Sequence, residues 1–349
     1  MTHTLSPSAL LGQQAPASDR AVIALSEGSD PRIVAGALKA RAQGLADIIL
    51  IGAEAEVQAE LAAQGASSGA GLEIQDPKTA PLSDQFAQSF HSLRQHKGVT
   101  PEQAAEAVQE PLIYAAMLVR EGHATGTVGG AVFTTSDVVR AALQVIGKAP
   151  DAGMVSSFFL MYPPQNSTEH GRAMLYSDCG LVIDPNAEEL VAIASASARS
   201  CRTLLRQEPK IAMLSFSTKG SASHPDVSKI SQATALLRAQ EPDLEVDGEL
   251  QFDAAFAPDV GEKKSPGSAV AGQANVMIFP NLNAGNTGYK ISQRLGGYSA
   301  IGPILQGLAR PANDLSRGCS AEDVLEMIAV TVLQAQDRKD GPPGPENRN

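Results

Sequence analysis

Apolar positions along the chain follow two rhythms. Ala21–Leu25 and Asp47–Ile51 are short continuous apolar runs, as expected of strands buried on both faces. Between them, Glu27-Gly-Ser-Asp-Pro-Arg32 reads as a turn into a helix reaching about Gln43, with Asp30 as N-cap and Pro31 at the first helical position. Strand, helix and strand make a βαβ unit, which implies a parallel pair with a right-handed crossover. Helical spacing recurs over Glu54–Gln64, Asp84–Arg94 and Pro101–Glu121, followed by a glycine-rich strand and turn over Thr125–Val132. Further strands are predicted at Met154–Met161, Met174–Ile183, Ile211–Phe216, Leu244–Phe252 and Val276–Phe279, with helices at Ala187–Arg206 and His224–Arg238. A last helix, Ala321 to about Gln336, opens on Ser320 with Asp323 three residues on. That is a capping-box pattern before Val324, Leu325, Ile328, Ala329 and Val332.

The fold class is therefore α/β, in two domains with a junction near residue 150. The first takes residues 19–150 and, with the last helix packed back on it, 309–336; the second takes 151–308. Residues 1–18 lack periodicity and read as a flexible arm, and the proline-rich 337–349 as a disordered tail.

Composition narrows the function. A chain of 349 residues, 43% hydrophobic and 19% charged, can bury a real core. Its net charge of −11 opposes a polyanionic partner, and with aromatics at 4% and no tryptophan it offers no stacking platform for single-stranded nucleic acid. An anionic small substrate must be caught by a local cluster of arginines. Three cysteines, Cys179, Cys201 and Cys319, form no CxxC and suggest a reducing compartment. Neither a leader-like N-terminus nor an apolar run of about 18 residues is present, so a soluble, cytoplasmic protein without membrane contact is expected. No GxGxxG follows the first strand, and no GxxxxGK[ST] occurs.

Chemistry concentrates in Arg310-Pro-Ala-Asn-Asp-Leu-Ser-Arg-Gly-Cys-Ser-Ala-Glu-Asp323, where arginines and hydroxyls precede a helix N-terminus, a setting that favours anions. Phe133-Thr134-Thr135-Ser136-Asp137 leads into another helix carrying Arg140 one turn inside. It offers hydroxyls and N–H groups to an anion, or plain capping chemistry. Arg94, Arg140 and Arg317 could grip a phosphate bidentately, or each could be a surface cation or a structural salt bridge. Asp323 is a helix-capping residue or a general base. A carboxylate (ordinary pKa about 3.9) facing a thiol (about 8.5) could accept the proton only as the thiol attacks, or after a nearby Arg317 has lowered the thiol pKa. Ser316 is a turn hydroxyl with no histidine nearby in sequence. Cys319 is a small buried residue or an acyl-accepting thiolate. Asn281, Asn283, Gly285, Asn286, Tyr289 and Lys290 read as a loop entering a helix, and Lys219 as a basic contact or, more simply, a solvated loop lysine. Asp247, Glu249 and Asp253 lack histidine neighbours and metal-ligand spacing, so no metal site is expected.

Phe279-Pro-Asn-Leu-Asn-Ala-Gly-Asn-Thr-Gly-Tyr-Lys290, together with the Arg310–Asp323 stretch, resembles the phosphate acetyl/butyryltransferase family, and its phosphate acetyltransferase branch most closely. The likeness runs from about Ala21 to Gln336 and takes in Asp178, Cys179 and Asp247–Asp253. It departs at Phe133 and Ala141, where the family run A-V-H-S-T-x-D-x-x-R-P has His and Pro, positions that bear on acyl preference and affinity.

The resemblance implies two three-layer αβα domains with a cleft between them, of the isocitrate/isopropylmalate dehydrogenase type, usually as a homodimer. It implies reversible acetyl transfer between coenzyme A and inorganic phosphate, through acetyl phosphate, by direct attack in a ternary complex. Asp323 would take the thiol proton and Ser316 would steady the thiol or the tetrahedral transition state. Arg317, Arg94 and Arg140 would hold the phosphoryl group, helped by Thr134 and Thr135. Ser316, Arg317, Asn283 and Lys290 would bind CoA, which is a substrate; no cofactor is implied. Three alternatives stay open: a butyryl- or other acyltransferase, a non-catalytic CoA-binding regulatory module, and a metal-dependent dehydrogenase using NAD.

Overall fold

Helix α1 (Pro7–Gly12) opens the chain, and its Ser8 ties it down: the Ser8 N–H and hydroxyl donate to the Glu326 carboxylate at 2.9 and 2.6 Å. The computed structural model describes residues 4–14, 20–164 and 171–340. The expected N-terminal arm thus contains a helix, while the rest of that arm (1–3 and 15–18) and residues 341–349 of the tail lie outside the described residues.

Two compact units emerge. The one made of Leu5–Pro150 and the segment from Leu308 onward holds β1 (Val22–Leu25), α2 (Pro31–Ala42), β2 (Asp47–Ile51), α3 (Glu54–Ala63), β3 (Leu72–Gln75), α4 (Ser83–Arg94), α5 (Pro101–Ala107), α6 (Pro111–Arg120), β4 (Gly126–Gly129) and α7 (Thr135–Val145). The other, Asp151–Gly307, holds β5 (Ser156–Tyr162), β6 (Met174–Ser177), α8 (Ala187–Leu205), β7 (Lys210–Leu214), α9 (Pro225–Gln240), β8 (Glu245–Leu250), α10 (Phe252–Phe256), α11 (Pro258–Lys264), β9 (Val276–Ile278), α12 (Leu282–Arg294) and β10 (Ser299–Gln306). The chain then completes the first unit with β11 (Ala312–Asp314) and α13 (Ala321–Asp340).

The helix expected over Pro101–Glu121 is two, because Pro111 has no N–H to continue α5 and instead starts α6. Strand β11 lies inside a stretch that the sequence presents as loop. Three residues carry little periodic signal, and what makes them a strand is pairing with β4.

The first unit's sheet runs β11-β4-β1-β2-β3, all parallel. β1 and β2 are apolar and, like β4 and β11, almost wholly buried, as strands covered on both faces require, while the edge strand β3 is partly exposed. Helix α13 packs on α2, and α6 on α7. Strand order reverses beside β1, with β2 on one flank and β4 on the other. In an open parallel sheet, ligands bind beyond the carboxyl ends of the strands at such a reversal.

The other unit's sheet is mixed, in the order β10-β5-β6-β9-β7-β8, with the first two pairings antiparallel. Here the residues expected as a loop entering a helix are the helix. α12 starts at its N-cap Asn281, whose side chain accepts from the Ala284 N–H at 3.0 Å. Gly285 sits inside it because any side chain there would strike the Asp178 carbonyl.

Candidate active site

Three strand-to-helix turns meet at the carboxyl edge of the first unit's sheet: Ser26–Asp30 after β1, Gly130–Thr134 after β4 and Leu315–Ser320 after β11. Glu27 organises the first two. Its carboxylate, 7% exposed, accepts the backbone N–H groups of Ala131, Val132 and Phe133 at 2.8, 2.7 and 2.8 Å. The Gly130–Thr134 turn is therefore a nest of N–H donors already filled by the protein's own anion.

Arg32, at the start of α2, fastens all three turns. Asp30 holds its Nε and Nη2 at 3.0 and 2.8 Å, so the fork has one fixed orientation. Nη2 then donates to the Ala131 carbonyl at 2.8 Å, and Nη1 to the Arg317 carbonyl at 2.6 Å. The hydrogen bond from Arg32 holds the Asp30 carboxyl below the usual carboxylate range. Asp30 is the N-cap expected, accepting from the Arg32 N–H at 2.9 Å.

The residues singled out in the sequence are arranged around this frame. Ser316 and Arg317 are exposed on the β11–α13 turn, and no hydrogen bond or ion pair engages the Arg317 guanidinium among the described residues. Asp323 forms the capping box: it accepts from the Ser320 N–H and hydroxyl at 2.8 and 2.9 Å and donates its own N–H to that hydroxyl at 3.2 Å. The Thr134 hydroxyl donates to Asp137 at 2.7 Å as it caps α7, and the Thr135 hydroxyl donates to buried Asp314 at 2.5 Å. Arg140 is exposed and pairs with Asp137 at 2.8 Å. Hydrogen bonds from Thr134, then from Arg140, keep the Asp137 carboxyl below its usual range. Arg94 ends α4, half-buried, with no hydrogen bond or ion pair to these groups among the described residues. Asn283 and Lys290 are exposed on α12, in the other unit.

Two readings need correction. Of the donors in Phe133–Asp137, the Phe133 N–H is not offered to an incoming anion, because Glu27 takes it together with those of Ala131 and Val132. Lys219, exposed on its loop, is not merely solvated: its ammonium bonds Asp247, a carboxylate 4% exposed that Arg238 also grips, at 2.7 Å. Burial pulls the Asp247 carboxyl upward, but Lys219 and Ser268 outweigh it and leave the pKa lowered.

Cys319 is buried, and desolvation pushes its thiol up to about 11 despite nearby Arg32, the opposite of an activated nucleophile. Cys179 and Cys201 are also buried, free thiols shifted upward by burial. Among the described residues no group of three or more His, Cys, Asp or Glu side chains is placed to hold a metal, and no helix is long and apolar enough to cross a membrane.

Glu27, Arg32 and Asp314 escaped the sequence reading. For Glu27 and Arg32 a signal existed: both lie in the turn after the first strand of a parallel sheet, where sites are built. Asp314 carried none, since its burial depends on β11.

Comparison with known proteins bears on the chain as a whole. Residues 9–332 match the family model described as Phosphate acetyl/butaryl transferase. A phosphate acetyltransferase of Paracoccus denitrificans is 50% identical over 324 residues, 93% of this chain and 98% of that protein. The crystal structure of a phosphotransacetylase from Streptococcus pyogenes superposes with a TM-score of 0.84 at 42% identity, covering 92% of this chain and 95% of that one. A candidate 4-hydroxythreonine-4-phosphate dehydrogenase from Salmonella typhimurium shares the fold alone, at 13% identity and a TM-score of 0.52 over 92% of this chain and 99% of that one. With nearly its whole length matched, this chain belongs to the phosphate acetyl/butaryl transferase family.

Proposed function

We propose that the chain is a phosphate acetyltransferase, interconverting acetyl-CoA plus phosphate with acetyl phosphate plus CoA. The observation that carries this reading is Arg317. Its backbone carbonyl is clamped by Arg32 while its guanidinium, exposed on the turn after β11, has no hydrogen bond or ion pair among the described residues. A guanidinium on a fixed backbone is preorganised for a phosphoryl group, and stays charged throughout.

In the direction of CoA acetylation, the CoA sulfur attacks the carbonyl carbon of acetyl phosphate. Its proton passes to Asp323, the C–O bond to phosphate breaks, and inorganic phosphate leaves held by Arg317, with Arg94 and Arg140. Ser316 donates to the reacting sulfur or the tetrahedral transition state. Asp323 needs only to receive the proton as the bond forms, since holding two substrates in register supplies roughly 7–11 kcal/mol. Direct transfer is supported by the Cys319 thiol, which burial leaves protonated at neutral pH. CoA is bound as a substrate, with Ser316, Arg317, Asn283 and Lys290 as its contacts, and no further cofactor enters. The protein is proposed to work in the cytoplasm as a homodimer.

The test is release of free CoA thiol from acetyl-CoA on addition of phosphate, with butyryl-CoA in parallel and with chelator present. Thiol release that requires phosphate, favours the acetyl substrate and ignores chelator is expected. Binding of CoA without any phosphate-dependent release would instead identify a regulatory CoA-binding module.

A further inference from the structure

One buried carboxyl at this edge of the sheet has no part in the reaction as derived. Asp314 ends β11 and is 0% exposed. Its Oδ2 accepts a 2.5 Å hydrogen bond from the hydroxyl of Thr135, the first residue of α7. Its Oδ1 has no hydrogen-bond partner among the described residues, and it lies against Gly130 (φ +103°), where any side chain would collide with it. Two and three residues beyond Asp314 the chain reaches Ser316 and Arg317; five beyond Thr135 it reaches Arg140.

We propose that Asp314 is a positioning residue: it ties the first turn of α7, and with it Arg140, to the strand that delivers Arg317. The inference rests on the acetyltransferase reading, because the two arginines need a fixed separation only if they address one phosphoryl group. The backbone supports the same link, with the Leu315 N–H donating to the Gly129 carbonyl at 2.7 Å, so β11 and the turn before α7 touch through main chain and side chain alike. The groups facing Asp314 are the Thr135 hydroxyl from α7, the Leu315 N–H from its own turn and the Glu27 carboxylate from the β1–α2 turn. Burial, reinforced by the negative Glu27, raises its pKa to about 7, so the acid carries a proton below that pH. A neutral acid suits a permanently buried link, since an isolated charge there would be costly.

The experiment combines Asp314→Ala, Thr135→Val and the double variant. For each, KM and kcat are measured with acetyl phosphate and CoA, and hydrogen exchange is followed over Thr135–Arg140. Loss of one such hydrogen bond is expected to raise KM for acetyl phosphate about three- to tenfold in either single variant, with KM for CoA within about twofold. The double variant is expected to be no worse than the worse single one, because both break the same bond. Exchange over Thr135–Arg140 is expected to quicken in both. Unchanged KM for acetyl phosphate in an active protein, or defects that simply multiply in the double variant, would overturn the proposal. Should Asp314→Ala not fold, Thr135→Val carries the same two readouts. A wild type that shows no phosphate-dependent turnover sinks the acetyltransferase reading; exchange then decides the link alone, and unchanged exchange rejects it.

Discussion

The guanidinium of Arg32 donates to the backbone carbonyl of Arg317, 2.6 Å away and 285 positions along the chain. One arginine thus serves as a fixture for another: the first is locked by Asp30 and holds the main chain of the second, whose guanidinium has no hydrogen bond or ion pair among the described residues. Arg32→Lys keeps the charge but loses the fork that reaches Asp30, Ala131 and Arg317 together. It is expected to lower kcat/KM for acetyl phosphate by about tenfold or more, read by steady-state kinetics. Full activity in this variant would remove Arg32 from the argument.

Arg317 and Lys219 should behave as opposites. Arg317→Ala removes an exposed cation, so melting should be unchanged while kcat falls by about 10²–10³. Lys219→Met leaves buried Asp247 one cation short, which should cost about 1–3 kcal/mol of stability with turnover largely kept. Thermal unfolding and turnover, measured on both variants, separate the two effects.

Asp323→Asn separates capping from proton transfer. An amide oxygen still accepts from the Ser320 N–H, so the helix start should lose no more than about 1 kcal/mol. An amide cannot take a thiol proton, and kcat should fall about 10²-fold or more. If kcat is retained, the carboxylate is only a cap.

Cys319 is expected to be dispensable. With its thiol pushed up to about 11, alkylation of the native protein near pH 7.5 should be slow, and Cys319→Ala should keep turnover and direct transfer. Trapping of an acetyl-thioester on Cys319 by mass spectrometry would contradict the ternary-complex route.

Asp314 makes folding stability depend on pH. In the unfolded chain this acid titrates near 3.8, in the folded protein near 7, so between those values the folded state holds the extra proton. Its contribution is intact at or below about pH 4 and is lost as pH climbs toward 7, by up to about 4 kcal/mol. Asp314→Asn should flatten that limb of the stability curve, measured by denaturant unfolding between pH 4 and 8. An unchanged slope would show that the carboxyl is charged when buried.

Sequence by itself determined what local chemistry can enforce. Asp30–Pro31 starts α2, Ser320 with Asp323 starts α13, and unbroken apolar runs specify strands buried on both faces, because caps and periodicity act within a few residues. The arginine- and hydroxyl-rich motif before α13 was equally readable, since its residues are neighbours in the chain. Only the tertiary structure decided which groups are available for chemistry. Glu27 fills a nest formed 104 to 106 positions away, Thr135 spends its hydroxyl on Asp314 at a separation of 179, and Lys219 is drawn to buried Asp247. Each outcome turns on burial and on partners supplied by a different strand. A hydrogen bond or a desolvated carboxyl depends on distance in space, which spacing along the chain does not encode.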